Sequence, residues 1–193
     1  MIQENDFDAV HDCQAVFRFL LHAIANPGEI VCIRPQAEKL RDNDRVMTAL
    51  ALTLLDKETC FAAPDDPAFA KKVSELTYAG QAAEKADFIF ITQAVSRATT
   101  ADIFAAATPG TLVEPHTNSV LFIGIEQFTE ASACRLTGPG IKDTKSVGLP
   151  EYAKQWVRER DTMDYEYPTG VDLYFVTPAG ELMALPRKVK MEG

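Results

Sequence analysis

The chain has 193 residues, 47% hydrophobic and 24% charged side chains, and a formal net charge of −9. Those proportions lie near the globular average, which excludes a disordered, collagen-like or mini-protein chain; a chain of this length buries roughly 70% of its unfolded surface. Nineteen Lys and Arg against 28 Asp and Glu give no general attraction to phosphate backbones, so nucleic acid is excluded as a partner class, while a local basic pocket for a small phosphate-bearing ligand stays open.

One domain spanning residues 1–193 is expected from the length, because no linker, repeat or low-complexity tract divides the chain. Cys13, Cys32, Cys60 and Cys134 are scattered, with no C-x-x-C pair, so neither a zinc site nor a dense disulfide framework is expected. Glu4, Asp6 and Asp8 interrupt the N-terminus, which argues against a signal sequence. No apolar run approaches the roughly 20 residues of a membrane helix. The expectation is a cytoplasmic protein with no membrane contact.

In chain order, Asn5 or Asp6 is expected to cap a first helix with apolar positions at Phe7, Val10, Phe17, Leu20, Leu21 and Ile24, ended by the turn Asn26-Pro27-Gly28. Glu29 to Arg34 reads as a strand. After the carboxylates of Asp42-Asn43-Asp44, Val46 to Leu55 is apolar nearly all round and predicts a buried helix. Thr59 to Ala62 reads as a strand and Pro67 to Tyr78 as a more exposed helix. The Phe-Ile-Phe-Ile run within Asp87 to Thr92 predicts a strand buried on both faces.

Thr99 or Thr100 is expected to cap a helix ending near Pro109-Gly110. Ser119 to Glu126 and Ala131 to Thr137 read as two strands separated by a short turn, and Pro150 to Met163 as a helix carrying Trp156. Val171 to Val176 and Glu181 to Leu185 predict a hairpin across Thr177-Pro178-Ala179-Gly180. Helices and strands alternate early and strands pair directly late. The implied class is a three-layer αβα domain with a mixed sheet.

Chemistry-bearing candidates are few. His11 and His22 lie on one helix face but roughly 16 Å apart in rise, too far to share a metal ion; they and His116 read as ordinary histidines. There is no G-x-S-x-G elbow and no local cysteine-nucleophile signature. No catalytic residue and no metal site is assigned.

The most suggestive segment is Arg135-Leu136-Thr137-Gly138-Pro139-Gly140-Ile141-Lys142, a strand running into a glycine-rich turn beside lysines. Its glycines let N–H groups converge on an anion, with Arg135 and Lys142 adding charge; a tight turn that needs glycine for its backbone alone is the other reading. It matches neither a Walker loop nor a G-x-G-x-x-G fingerprint. A second candidate is Asp172 within an apolar strand, which pairs with a ligand cation or with Arg187, or else points out from an edge strand; Arg187 itself, after Leu185-Pro186, reads first as a surface arginine. The anion- or ligand-binding candidates are therefore Arg135, Thr137, Gly138, Gly140, Lys142, Asp172 and Arg187.

Three ordered segments carry a family resemblance. They are Phe17-Arg18-x-Leu20-Leu21-x-Ala23 running into Asn26 to Val31, then Arg135 to Ile141, then Tyr167 to Leu173 with Leu182-Met183-Ala184-Leu185-Pro186-Arg187. Together they resemble the H-subunit family of bacterial carbon–phosphorus lyase (PhnH). The resemblance implies a reduced version of the pyridoxal-phosphate transferase fold without its cofactor, a homodimer, and assembly with the G, I and J subunits into a core complex. It further implies a pathway joining an alkylphosphonate to C1 of the ribose of ATP, which yields ribose 1-phosphonate 5-triphosphate. The nucleosidase activity is attributed to the I subunit and the later radical step to the iron–sulfur J subunit.

Nothing here competes with the J subunit, since no cysteine set suits a [4Fe–4S] cluster. A pyridoxal enzyme needs a Schiff-base lysine, and the family precedent discounts Lys142 for that role; no cofactor is expected. Two functions follow. One is a non-catalytic interaction subunit, with the hairpin residues Leu173, Tyr174, Phe175 and Val176 either partner-facing edge material or core. The other is a stand-alone enzyme or binder of a nucleotide, phosphonate or pyridoxal phosphate at Gly138 to Gly140.

Overall fold

A computed structural model describes residues 6–93 and 97–192. Its main sheet has seven strands in the order β1-β9-β8-β5-β4-β2-β3. These strands are β1 (Ile30–Cys32), β2 (Cys60–Ala62), β3 (Gly80–Gln81), β4 (Phe88–Ile91), β5 (Val120–Gly124), β8 (Asp172–Val176) and β9 (Glu181–Leu185). The block from β3 to β8 is parallel, β9 joins β8 antiparallel, and β1 pairs antiparallel with β9. A second, antiparallel sheet has the order β10-β6-β7, formed by β6 (Ala133–Thr137), β7 (Lys145–Gly148) and β10 (Lys190–Glu192).

Period-two alternation explains the layering. Phe90, Phe122, Tyr174, Val176, Leu182 and Ala184 face one core, which α1 (His11–Ala25), α3 (Arg45–Leu54) and α4 (Pro67–Thr77) cover. Their neighbours Ile89, Ile91, Leu121, Ile123, Phe175, Met183 and Leu185 face the other, which α5 (Arg97–Ala106), α6 (Glu151–Thr162) and the small sheet cover. Because both faces are covered, the parallel strands are apolar at nearly every position. On the first face Phe90, Phe122 and Tyr174 stack in register at centroid distances of 5.3 and 5.0 Å. Tyr174 then donates its hydroxyl to the Leu20 carbonyl at 3.1 Å, fastening the sheet to α1. The mixed α/β class expected from the sequence is observed.

Several local expectations change. The first helix starts at His11 because Asp8, rather than Asp6, caps it: Asp8 Oδ1 accepts the N–H groups of Val10 and His11, both at 2.8 Å, while Asp12 Oδ2 accepts that of Asp8. Asn5, the alternative cap, lies outside the described residues. Thr99 and Thr100 sit inside α5 rather than capping it. The strand expected over Glu29 to Arg34 is shorter, and Arg34–Ala37 forms a one-turn helix, α2, with Pro35 in its first turn. The expected strand pair Ser119–Glu126 and Ala131–Thr137 splits between two sheets, since β5 pairs with β4 and β8.

The final hairpin is not edge material. β8 lies between β5 and β9, and Leu173, Tyr174, Phe175 and Val176 are all buried. Partners therefore meet other residues. No helix among the described residues is long and apolar enough to cross a membrane.

Candidate functional site

The parallel strands β4, β5 and β8 share a direction, so their two ends gather different residues. At the amino end, the register Leu173↔Leu185 of the antiparallel pair brings the chain leaving β9 back over the start of β8. Arg187 thus lands on Asp172. Asp172 Oδ1 accepts the Arg187 backbone N–H at 2.7 Å and its Nε–H at 3.3 Å, and Asp172 Oδ2 accepts from Nη2 at 2.9 Å. The register Val120↔Asp172 adds Asn118, which donates to Asp172 Oδ2 at 2.9 Å and accepts from Arg187 Nη2 at 2.8 Å. Arg187 Nη1 donates to the Pro115 carbonyl, pinning the 109–118 loop.

Of the three readings of Asp172, the structure realises the pair with Arg187. The strand is interior and Asp172 is buried, so the outward-pointing edge aspartate is ruled out. The guanidinium meets four acceptors, nearly its full donor capacity. A phosphate reaching Arg187 would have to displace a buried carboxylate. The same chain segment is held from below by Arg160 on α6, which was not singled out from sequence. Its guanidinium, almost wholly buried, donates to the carbonyls of Leu185, Pro186 and Val189 and to Asp161. Burial lowers its pKa, against the opposing Asp161 charge.

The glycine-rich turn follows β6 and packs against the backbone of Lys188, next to Arg187. Gly138 has φ of +133°, and a Cβ there would come within 2.7 Å of the Lys188 carbonyl; a Cβ on Gly140, at φ of +84°, would come within 2.9 Å of Pro27. Backbone conformation and close packing account for both glycines without a ligand. The Ile141 N–H is taken by the Gly138 carbonyl at 3.1 Å. Thr137 donates to Glu192 at 3.3 Å, and Arg135, opposite Glu192 in the β6–β10 register, is exposed, as is Lys142. Pro27 is from the first resembling segment, Gly138 and Gly140 from the second, and Lys188 adjoins the third, so the resembling segments meet at one packing junction.

The carboxyl end of the same strands is open. A cleft of about 460 Å³ lies beyond it, lined by Thr92 and Gln93 after β4, Gly124, Ile125 and Glu126 at the end of β5, and Val176 and Thr177 at the end of β8. The first turn of α3 contributes Val46 and Met47, the turn before it Asn43 and Asp44, and α6 contributes Tyr152. This is where open α/β sheets place their ligand sites. Asp65 shapes one wall: its Oδ2 accepts the Gln93 N–H at 2.6 Å and the Thr92 hydroxyl at 3.2 Å. Its Oδ1 is buried without a hydrogen-bond partner among the described residues, and burial raises its pKa although the Gln93 N–H and other hydrogen bonds oppose the shift. On the opposite wall the Tyr152 hydroxyl accepts the Glu126 N–H at 2.9 Å.

None of the seven anion- or ligand-binding candidates Arg135, Thr137, Gly138, Gly140, Lys142, Asp172 and Arg187 is among the residues that line this cleft. The signal that finds it is the end of each apolar run, where Thr92 and Glu126 close two expected strands and Thr177 follows a third. His22 hydrogen bonds Glu29 at 2.7 Å on the surface and His116 is exposed. Among the described residues no group of three or more His, Cys, Asp or Glu is arranged to hold a metal ion, and the four cysteines are free thiols.

Comparison with known proteins settles the family. The model of the bacterial phosphonate metabolism protein PhnH matches residues 5–192. The chain belongs to the PhnH family. Among its relatives is the putative C-P lyase subunit protein HtxG of Stutzerimonas stutzeri, 26% identical over 176 residues, covering 90% of this chain and 83% of that protein. Another is the alpha-D-ribose 1-methylphosphonate 5-triphosphate synthase subunit PhnH of Rhizobium meliloti (strain 1021), 28% identical over 194 residues, covering 96% and 92%. Both PhnH-like relatives carry the name of a subunit, which agrees with the interaction-subunit reading of the sequence.

Proposed function

We propose that this chain is the H-type subunit of a carbon–phosphorus lyase core complex, where it binds and positions other subunits rather than performing catalysis. The observation that carries the reading is the family match over residues 5–192, joined by two near-full-length relatives that are each named as subunits. The complex would make a ribose 1-phosphonate 5-triphosphate, the class of product in the name of the Rhizobium relative, and the family resemblance gives ATP and an alkylphosphonate as its substrates. The commitment of Asp172, Arg187 and Arg160 to internal bonds supports a non-catalytic role, because the strongest charges of the interior are already paired.

The partners in this reading are a second copy of the chain and the G, I and J subunits, in the cytoplasm. Surface for them is available along α1 and Val10 just before it, where Val10, Phe17 and Leu21 are 71%, 45% and 50% exposed, spaced seven and four residues apart. A mixed sheet between two helical layers is also compatible with a reduced pyridoxal-phosphate transferase fold.

The test is purification of a tagged copy from phosphate-starved cells of the native host, with mass spectrometry and native mass. Stoichiometric recovery of G, I and J is expected. A lone homodimer, with those partners demonstrably expressed, overturns the reading and directs attention to phosphate-bearing ligands at Arg135, Thr137 and Lys142.

A further inference from the structure

We infer that the cleft at the carboxyl ends of β4, β5 and β8 binds a small organic cation with an apolar body, of the alkyl- or arylammonium class. The inference goes beyond the subunit role and does not depend on it.

The cleft has the volume of a small-molecule site, about 460 Å³. Its floor is apolar: Val46, Met47, Ile125 and Val176 are all at most 8% exposed. Tyr152 adds an aromatic ring, able to contact both an aliphatic body and a cation. The neutral hydrogen-bonding side chains are those of Asn43, Thr92, Gln93, Tyr152 and Thr177, and the Tyr152 and Thr177 hydroxyls already accept the N–H groups of Glu126 and Glu181. An apolar floor with a small number of polar groups at its mouth is the composition of a ligand pocket rather than of a solvated loop crevice.

Charge decides the ligand class. Among the described residues, the ionic side chains that line the cleft are Asp44, just before α3, and Glu126, just past β5, and none of the described lining residues is Lys, Arg or His. Lys72 approaches Asp44 at 3.4 Å, but it is held more closely by Asp42 at 2.7 Å and is not part of the lining. A phosphate or phosphonate entering here meets two carboxylates and no cation. An ammonium group meets both carboxylates at the mouth while its hydrocarbon part covers the floor, so the two ends of one molecule satisfy the two kinds of surface. Asp65 stands behind this wall as a positioning residue, since its carboxylate fixes Thr92 and Gln93.

The test is titration of the full-length, isotopically labelled chain with benzylammonium, and separately with inorganic phosphate, followed by amide chemical shifts. Benzylammonium is expected to move the amides of Gln93, Glu126 and Thr177 saturably, with phosphate leaving them in place. The double substitution Asp44→Asn, Glu126→Gln is expected to weaken benzylammonium roughly tenfold. Glu58→Gln, which removes a charge at the opposite end of the sheet, is expected to leave the affinity unchanged. Phosphate moving these amides in place of benzylammonium, or benzylammonium binding equally well to the double variant, overturns the inference. So does the absence of any saturable shift at millimolar benzylammonium.

Discussion

The two ends of the central parallel strands differ in what happens to their polar groups. At the amino end, Asp172, Arg187 and Asn118 bond to one another and to the Pro115 carbonyl, and the charges are consumed by the fold. At the carboxyl end, Thr92, Gln93, Glu126 and Thr177 border an open cleft, and Asp65 keeps one buried oxygen without a hydrogen-bond partner among the described residues. A strand order that runs β8-β5-β4 imposes the same spacing on both ends. What separates them is the antiparallel return of β9, which delivers an arginine to one end and nothing comparable to the other. Strong charges near a core therefore do not by themselves mark a site.

Breaking the closed end has the largest expected effect. Arg187→Ala leaves Asp172 buried without its counter-charge and is expected to cost about 3–5 kcal/mol of stability, measured by urea unfolding. Arg187→Lys is expected to recover little, because one ammonium cannot span Asp172, Asn118 and Pro115 as the planar guanidinium does. A loss well under about 1 kcal/mol for Arg187→Ala would mean that the amino end is no more closed than the other.

Between the ends, Tyr174→Phe removes only the hydroxyl bond to Leu20 while keeping the ring in the Phe90–Phe122 stack. It is expected to cost about 1 kcal/mol, again by urea unfolding.

Asp65 sharpens the comparison through pH. Its folded pKa is raised above the ordinary value of 3.8 by burial, against the hydrogen bonds from Gln93 and Thr92. The folded form therefore binds this proton more tightly than the unfolded form, and the charge costs stability above the folded pKa; the cost is relieved as pH falls through it. Relative to Asp65→Asn, the natural chain is expected to gain stability between pH 7 and pH 4. A difference that stays flat over that range would place Asp65 in an ordinary solvated setting.

The smallest effect belongs to the open end itself. Gln93→Ala, whose side chain is exposed at the cleft mouth, is expected to change unfolding stability by no more than about 0.5 kcal/mol. A loss comparable to that at Arg187 would mean that the cleft is a structural seam.

Legibility from sequence followed the length of the local signal. The runs that became β4, β5, β8 and β9 were readable to within a residue or two, because burial on both faces makes them continuously apolar. The same held for α3, α4 and α6. The two- and three-residue strands β3 and β10 carry no such run, and in β7 only Val147 is buried, so these three were not expected. The hairpin aromatics read equally well as edge or core, since a strand's rank within a sheet depends on pairing partners far away in sequence.

The chain's own residues thus determined its mixed α/β class and most of its elements, because periodicity and turn chemistry act over a few neighbours. The ordered segments around Gly28, Gly138 and Arg187 also carried its family. Only the tertiary structure decided what those segments do. Asn118 and Asp172 are 54 residues apart and Arg187 is 15 further on, and sheet register alone makes them one closed network. Register likewise brings the ends of β4, β5 and β8 to the start of α3, and so creates a cleft that no single stretch of sequence contains.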